Sequence, residues 1–471
     1  MPTVIGVDSS TQSCKVLVVD LETGDIVSEA STSHPDGTEV NPEAWWDALQ
    51  TALAQVDTSH AQAVSIGAQQ HGMVALDESG SVVRPALLWN DTRSAAQAEQ
   101  IVSEFGSEGI TKRTGSVPLA SFTATKLAWM KQNEPDLAAR VAAVALPHDW
   151  LMWRLQGYGP RGESSRGPDL TALVTDRSDA SGTGYFSPTS NRYDDDIVSF
   201  ALGHRPVLPT VLGPGERAGE TEHGWVMGPG GGDNAMAALG LGTELGDVVM
   251  SLGTSGTVFA VTSKPAHDAS GAVAGFADAT GEYLPLVATL NAARPIDAVR
   301  RLFGFSWDEL ADAVTRSDPG SSGLTVLPFF DGERTPNLPD AKGSLHGMTR
   351  GSLTPENVTR AVVEGVVANL ARGVDAIAEQ TQPPSRLILI GGAAQNVGVQ
   401  TVVAEQLAIP VSVPESGEYV AYGAAKQAAW ALTGQNPSWA AASITLEAGG
   451  GAGIARAQFD RVLAEHPGLA D

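Results

Sequence analysis

The stretch "VIGVDSSTQSCKVLVVD", Val4 to Asp20, decides the fold. Two apolar runs rich in β-branched residues, 4–7 and 15–20, flank a short centre of small hydroxyl residues. Such runs suit pleated strands, and the polar centre suits the turn between them. Asp8 stands at the mouth of that turn. "ETG" then turns the chain toward a third run, 26–30, which predicts a β-meander opening a domain. In "NPEAWWDALQTAL", Asn41 can cap, Pro42 suits the first helical position and Glu43 the first turn. "AVSIGAQQHGMVALDESG" predicts a strand over 63–67, a polar turn carrying Gln69, Gln70 and His71, and a second strand over 73–76. Strand, helix and strand alternate, which is α/β architecture.

Farther along, "VVMSLGTSGTVFAV" echoes the opening: a β run, a small-residue hydroxyl turn and another β run. A similar sheet in each of two domains would produce the echo, and so would two unrelated hairpins. The best helix lies in "GSLTPENVTRAVVEGVVANLARGVDAIAEQ", with Thr354 as cap, Pro355 in the first turn and an apolar stripe through Val358, Val362, Val366 and Leu370. "PSRLILIGGAAQNVGVQTVVAEQLAIPV" gives a strand over 387–390, a glycine turn and a helix from near Asn396. The stretch 161–196 is rich in Gly, Ser, Asp and Pro and predicts loops, anchored by Leu170, Leu173, Val174, Tyr185, Phe186 and Tyr193. The boundary is expected in the glycine-rich "GWVMGPGGG", dividing the chain into 1–227 and 228–471.

The chain has 471 residues, too many for one ordinary core. A net charge of −25, from 29 Lys plus Arg against 54 Asp plus Glu, argues against nucleic acid, which needs a basic footprint. An anionic small substrate stays open if local cations and a metal hold it. Cys14 is the single cysteine, so an intrachain disulfide and a thiolate metal cluster are excluded. No uncharged apolar stretch reaches membrane-spanning length, and no basic, then apolar, leader opens the sequence. A cytoplasmic chain without membrane partners is the expectation.

Three small-residue turns, 9–13, 253–257 and 391–392, could converge backbone N–H groups on anions. Neither a P-loop nor an opening GxGxxG is present. Two facing hairpin turns could instead hold a chain of phosphates, with Asp8 positioning Mg2+ through water. A strand-end residue making a local hydrogen bond is the plainer reading of Asp8, and pattern alone leaves both open. In "PGGGDNAMAALGLG", Asp233 stands at a helix start, where it can cap or act as a general base. Asn234 beside it could hydrogen-bond a polyol. Gln69, Gln70 and His71 follow a buried-looking strand, a usual place for binding groups. "LLWNDTR" adds Trp89, Asn90, Asp91 and Arg93, an aromatic wall beside polar groups. His34, His60, His148, His204, His223, His346 and His466 show no zinc-like spacing, and the turn at 253–257 does not fit a nucleophile elbow.

Taken in order, these motifs resemble the FGGY carbohydrate kinases of the sugar kinase, Hsp70 and actin superfamily. "GVDSSTQSCKVLVVD" and "LGTSGTV" are similar to the two phosphate motifs, and "LILIGGAAQNVGVQTVVAEQLAIPV" to the adenosine motif. "QQHG", "LLWNDTR", "TDRSDASGT", "FFDGERTPN" and "GSLHGMTRGSLTPENVTRAVVEG" resemble the branch that phosphorylates D-xylulose. The resemblance spans residues 4 to about 426. It implies a two-domain α/β fold, a ribonuclease-H-like mixed sheet in each domain, and an active site in the interdomain cleft. It implies ATP and Mg2+ as cofactors, D-xylulose as substrate, and a homodimer. By the same resemblance Asp8 organises metal and phosphate, and Gln12 and Lys15 lie near the transferred phosphate. Thr254 contacts the β/γ-phosphates, and Gly391, Gly392 and Asn396 form the adenine-nucleotide site. Asp233 is the catalytic base; Gln70, His71, Asp233 and Asn234 contact the sugar, with Trp89 as a wall. One position departs: the branch has methionine before the histidine, and this chain has Gln70, whose amide can alter the choice of sugar. Kinases for D-ribulose, glycerol or another polyol therefore stay open. So do a nucleotide-dependent chaperone and an ATP-binding filament protein, which would lack the sugar pocket and the placed base.

Overall fold

The computed structural model describes residues 1–439, 443–449 and 453–465; His466 lies outside them. Tertiary contacts divide the chain into two units. Unit 1 holds Met1–Thr243, Pro265–Leu284 and Glu418–Ala440; unit 2 holds Glu244–Lys264, Pro285–Gly417 and Ala441–Asp471.

Unit 1 starts from β1 (Thr3–Ser9), β2 (Ser13–Asp20) and β3 (Ile26–Ser33), the expected meander. β1 and β2 pair antiparallel, with Asp8 opposite Lys15, and β2 pairs antiparallel with β3. β1 also runs parallel to the strand Ala61–Ala68. A parallel neighbour needs a crossover, and the helix Glu43–Leu53 lies in that connection, with Asn41 Oδ1 accepting the Glu43 amide at 3.2 Å. One face of the sheet packs Ile5, Val7, Val64 and Ile66 against Trp45, Leu49, Trp150 and Trp153. The other face packs Val4, Leu17 and Ala63 against Ala421, Ala425 and Ala428 of the helix Tyr419–Thr433. Burial on both faces is why β1 reads as an unbroken apolar run instead of an alternation. That helix comes so close that a Cβ on Gly6 would stand 1.9 Å from the Ala421 carbonyl oxygen.

The expected division after residue 227 differs from the contact boundary, which first falls at Thr243 and Glu244. The reason is packing. Strands Val226–Met227 and Gly231–Gly232 pair with Ala61–Ala68, so the glycine-rich stretch belongs to the first sheet and is not a linker. The helix Asp233–Leu241 then crosses Tyr419–Thr433, and a Cβ on Gly423 would stand 1.9 Å from the Met236 carbonyl oxygen. Asp233 therefore belongs to unit 1.

The segment 161–196 departs from its loop reading. It contains the strand Val174–Asp176 and the helix Arg177–Ser181, whose Ser178, Asp179, Ala180 and Ser181 are all buried. Leu173, Tyr185 and Phe186 anchor it as expected, each at most 2% exposed.

Unit 2 repeats the strand plan. Asp247–Leu252 pairs antiparallel with Gly256–Ala260 and parallel with Arg386–Ile390, so the sequence echo is a repeated arrangement and each unit has a mixed sheet. Its longest helix, Pro355–Gln380, starts at Thr354, whose Oγ1 accepts the Asn357 amide at 3.2 Å. Val362, Val366 and Leu370 are buried and Val358 is half-buried. Arg360 and Glu364 are buried as well, paired at 2.7 Å, which satisfies charges that would be costly alone. No helix among the described residues is long and apolar enough to cross a membrane.

Candidate active site

Three parallel strands of unit 1 end side by side. Asp8 and Ser9 pair with Gly67 and Ala68, and these pair in turn with Gly231 and Gly232. This register brings together Asp8, the run Gln69–Gln70–His71, and Asp233. Carboxyl ends of strands in α/β sheets are where ligands bind, because the chain departs there and leaves polar groups facing outward.

Asp8 is 5% exposed, and its Oδ1 has no hydrogen-bond partner. Burial pushes its pKa up to about 7; Lys15 pulls it down, while Asp233 and Glu418 add to the rise. An orphaned carboxylate oxygen costs free energy and fits a group that a hydrated cation would meet. Lys15 Nζ donates to Glu418 Oε2 at 2.5 Å. Glu418 was not anticipated; it arrives from a segment some four hundred positions away, and no local signal marks it. Gln12 is exposed at the tip of the turn, and its carbonyl accepts the His34 amide at 2.8 Å.

Asp233 opens its helix, and Gly232, not Asp233, occupies the capping position. Asp233 Oδ1 accepts from the Asn234 amide and from Asn234 Nδ2, both at 2.7 Å. Burial raises its pKa to about 6 against those two donors. A carboxylate so poised can take a proton near neutrality. Asn234 thus spends its amide nitrogen on Asp233.

His71 has φ of 70°, uncommon for a residue with a Cβ. Its Nδ1–H donates to the Gly182 carbonyl at 2.5 Å. Its own carbonyl accepts from Thr123 Oγ1 at 3.1 Å and Lys126 Nζ at 3.3 Å. Lys126 is fully buried, and burial lowers its pKa to about 7. The His71 ring lies 4.7 Å from that of Phe122 and 5.7 Å from that of Phe276. Gln70 Nε2 donates to the Ser178 carbonyl at 2.9 Å, so the amide nitrogen that distinguishes this chain is committed within the protein. Trp89 is 39% exposed; its Nε1–H donates to Thr11 Oγ1 at 2.8 Å, tying the indole to the first turn. Asp91 is turned to structure, accepting from Thr38 Oγ1 and Arg93 Nε.

The sequence reading missed a buried cluster beneath these residues. His148 Nδ1–H donates to Asp179 Oδ2 at 2.5 Å, and its Nε2 lies 3.1 Å from Asp149 Oδ1. Burial opposes a charge on His148, but Asp149, Asp179 and Asp176 outweigh it and lift its pKa to about 9. Spacing along the chain could not reveal this, because the partners come from separate elements. The dense "SDASG" was the available signal.

In unit 2, Thr254 and Ser255 are exposed in the turn between Asp247–Leu252 and Gly256–Ala260. Gly391 has φ of 99°, and a Cβ there would stand 2.6 Å from the Leu252 carbonyl. Gly392 has no such constraint, and a Cβ there would meet nothing within 4 Å. Asn396 caps the helix Val397–Gln406: its Oδ1 accepts the Gly398 amide at 3.0 Å, and its Nδ2 donates to the Trp307 carbonyl at 2.8 Å. Its side chain is engaged in structure at both ends.

Comparison with known proteins gives a consistent result. Residues 3–240 match the N-terminal domain of the FGGY family of carbohydrate kinases, and residues 248–432 match the C-terminal domain. Xylulose kinase of Streptomyces rubiginosus is 46% identical over 453 residues, covering 93% of this chain and 89% of that protein. Xylulose kinase of Escherichia coli K12 is 32% identical over 415 residues, covering 83% and 82%. The crystal structure of xylulose kinase from Bifidobacterium adolescentis aligns with a TM-score of 0.91 at 43% identity, over 98% of this chain and 99% of that one. With both domain models matched along nearly its whole length, this chain belongs to the FGGY family of carbohydrate kinases.

Proposed function

We propose that this chain transfers the γ-phosphoryl group of ATP to O5 of D-xylulose, giving D-xylulose 5-phosphate and ADP. The carrying observation is the juxtaposition of Asp233, poised with a pKa of about 6, with His71 and Asp8 at adjoining strand ends. In the reaction O5 attacks the γ-phosphorus, the bond from phosphorus to the ADP oxygen breaks, and Asp233 accepts the O5 proton. His71 contacts the sugar, and Trp89 offers its partly exposed face to the carbon skeleton. Lys15 supplies a cationic point charge beside the first turn of an otherwise acidic chain. Mg2+ would be held through water by Asp8, whose buried, unpartnered Oδ1 suits it, and would spread the charge that develops on the phosphoryl oxygens.

The proposal assigns the acceptor side of the reaction to unit 1 and adenine-nucleotide binding to the turns around Thr254, Gly391 and Gly392 of unit 2. It includes the ribonuclease-H-like plan of each domain. The open space beside Gly392 supports close approach of a ligand to the backbone. One N–H of the Gln70 amide is bound to the Ser178 carbonyl, which fixes the side chain beside the strand ends. The names of the aligned relatives point the same way.

A coupled ADP-release assay over ketoses, aldoses and polyols tests the reading. The expected result is the highest kcat/KM with D-xylulose and phosphate on O5 of the product. A clear preference for glycerol or D-ribulose would overturn the sugar assignment and leave the kinase. No sugar-dependent ADP release in folded, nucleotide-binding protein would overturn both.

A further inference from the structure

Gln70, His71 and the approach to Asp233 share a single support. Gln70 Nε2 donates to the carbonyl of Ser178, and the Gly232 amide donates to its Oγ at 3.1 Å. His71 Nδ1–H donates to the carbonyl of Gly182. All three contacts end on the helix Arg177–Ser181 or on the glycine that closes it. A helix of five residues makes few bonds of its own and has little intrinsic persistence. Asp176 caps it, accepting from the Ser178 and Asp179 amides at 3.0 and 2.9 Å. From below, Asp179 bonds His148, which faces Asp149 on its other side. All three side chains are at most 1% exposed. His148 also packs on the strand to Asp233: a Cβ on Gly230 would stand 2.3 Å from its Cδ2.

Buried ion pairs seldom stabilise more than the well-packed apolar groups that could replace them, and specificity of geometry is their best-attested use. The imidazole hydrogen-bonds Asp179 through Nδ1, while its Nε2 stands 3.1 Å from Asp149 Oδ1 without a hydrogen bond, so attraction between charges holds the ring on that side.

We propose that the buried Asp149–His148–Asp179 triad is a positioning unit for the sugar site, fixing the helix Arg177–Ser181 so that its Ser178 and Gly182 hold Gln70, His71 and the Gly232 amide in register with Asp233. This rests on the reading of those residues as the sugar site. The triad touches no reacting atom in this scheme. It acts through the helix, and its loss loosens the pocket without dismantling the nucleotide turns.

The test uses the full chain with Asp179→Asn, which keeps shape and removes the charge, and Ser178→Ala, which cuts the bond to Gly232 and leaves the triad whole. In folded Asp179→Asn protein, judged by circular dichroism, the KM for D-xylulose should rise about tenfold or more, since small misplacements cost that much. The preference for D-xylulose over D-ribulose should shrink, and the ATP dissociation constant should stay unchanged. Ser178→Ala should lower kcat more than it raises KM. A merely structural role would lower the active fraction alone, with KM and sugar preference at wild-type values; that result in folded Asp179→Asn overturns the proposal. Should Asp179→Asn not fold, wild-type kcat in Ser178→Ala overturns it instead. Wild-type protein that releases no ADP in response to any sugar overturns the sugar-site reading and the positioning role with it, an outcome visible before any variant is made.

Discussion

Asp233 carries two opposing demands. As the proposed base it must be ionised, yet burial disfavours its charge and raises its pKa to about 6. Asp233→Asn cannot accept a proton, so kcat should fall by about 10²–10⁴-fold, the usual worth of a general base. Nucleotide affinity and the circular dichroism spectrum should hold. For the wild type, kcat/KM should fall as pH drops below about 7, through loss of ionised Asp8 near 7 and of ionised Asp233 near 6, the two groups the proposed reaction needs charged. Stability runs the other way. A pKa raised in the folded state means the fold favours the protonated carboxyl, so this contribution is full below the unfolded value and is lost as pH rises through about 6. Asp233→Asn should therefore melt higher than the wild type at pH 8, with the gap closing near pH 4. An equal gap at both pH values would remove the carboxylate's ionisation as its cause. At Asp8, Asp8→Ala should weaken Mg2+-dependent turnover far more than sugar affinity; a titration of Mg2+ beside sugar calorimetry separates the two, and equal losses would indicate a shared structural role.

The turn after the strand Arg386–Ile390 contains two glycines with different tasks. Gly391 lies at φ of 99° against the backbone of Leu252, so the fold requires it. Gly392 begins the short helical turn Gly392–Gln395 and faces open space. Gly391→Ala should destabilise the protein by about 1–3 kcal/mol or more through strain and overpacking. Gly392→Val should leave thermal stability nearly unchanged and raise the ATP dissociation constant. Thermal melts and nucleotide calorimetry on the two variants check this; unchanged ATP affinity in Gly392→Val takes Gly392 out of the nucleotide site.

For the whole molecule, a ligand that binds only the folded state raises its stability by mass action, by about 2.7 kcal/mol at a hundred times the dissociation constant. D-Xylulose should raise Tm in a concentration-dependent way, and glycerol at equal concentration should raise it less. With His71 as the proposed sugar contact, the shift should disappear in His71→Ala, while Asp233→Asn should retain most of it. A sugar-induced shift that survives in His71→Ala would place the pocket elsewhere. The net charge of −25 belongs to this scale too, and predicts no retention on a polyanion such as heparin.

The sequence by itself determined the elements whose cause is local. Unbroken apolar runs became β1 and β2 because both sheet faces are covered, and Thr354 with Pro355 started the long helix because capping needs only neighbours. Asp8, Asp233 and His71 could be singled out because a lone charged or ring residue after an apolar strand stands out in one dimension. The tertiary structure alone decided what depends on distant partners. It set Glu418 against Lys15, turned the amide nitrogen of Gln70 to Ser178, turned Asn396 Nδ2 to the Trp307 carbonyl, and assigned Asp233 to the first unit through the crossing with Tyr419–Thr433. It also buried the centre of the polar stretch 161–196, around residues 173–186, whose composition reads as loop. Asp179 there meets His148, and the hydroxyls of Ser178 and Ser181 accept the Gly232 and Ala277 amides; no run of consecutive residues records which polar groups will meet when the chain is folded.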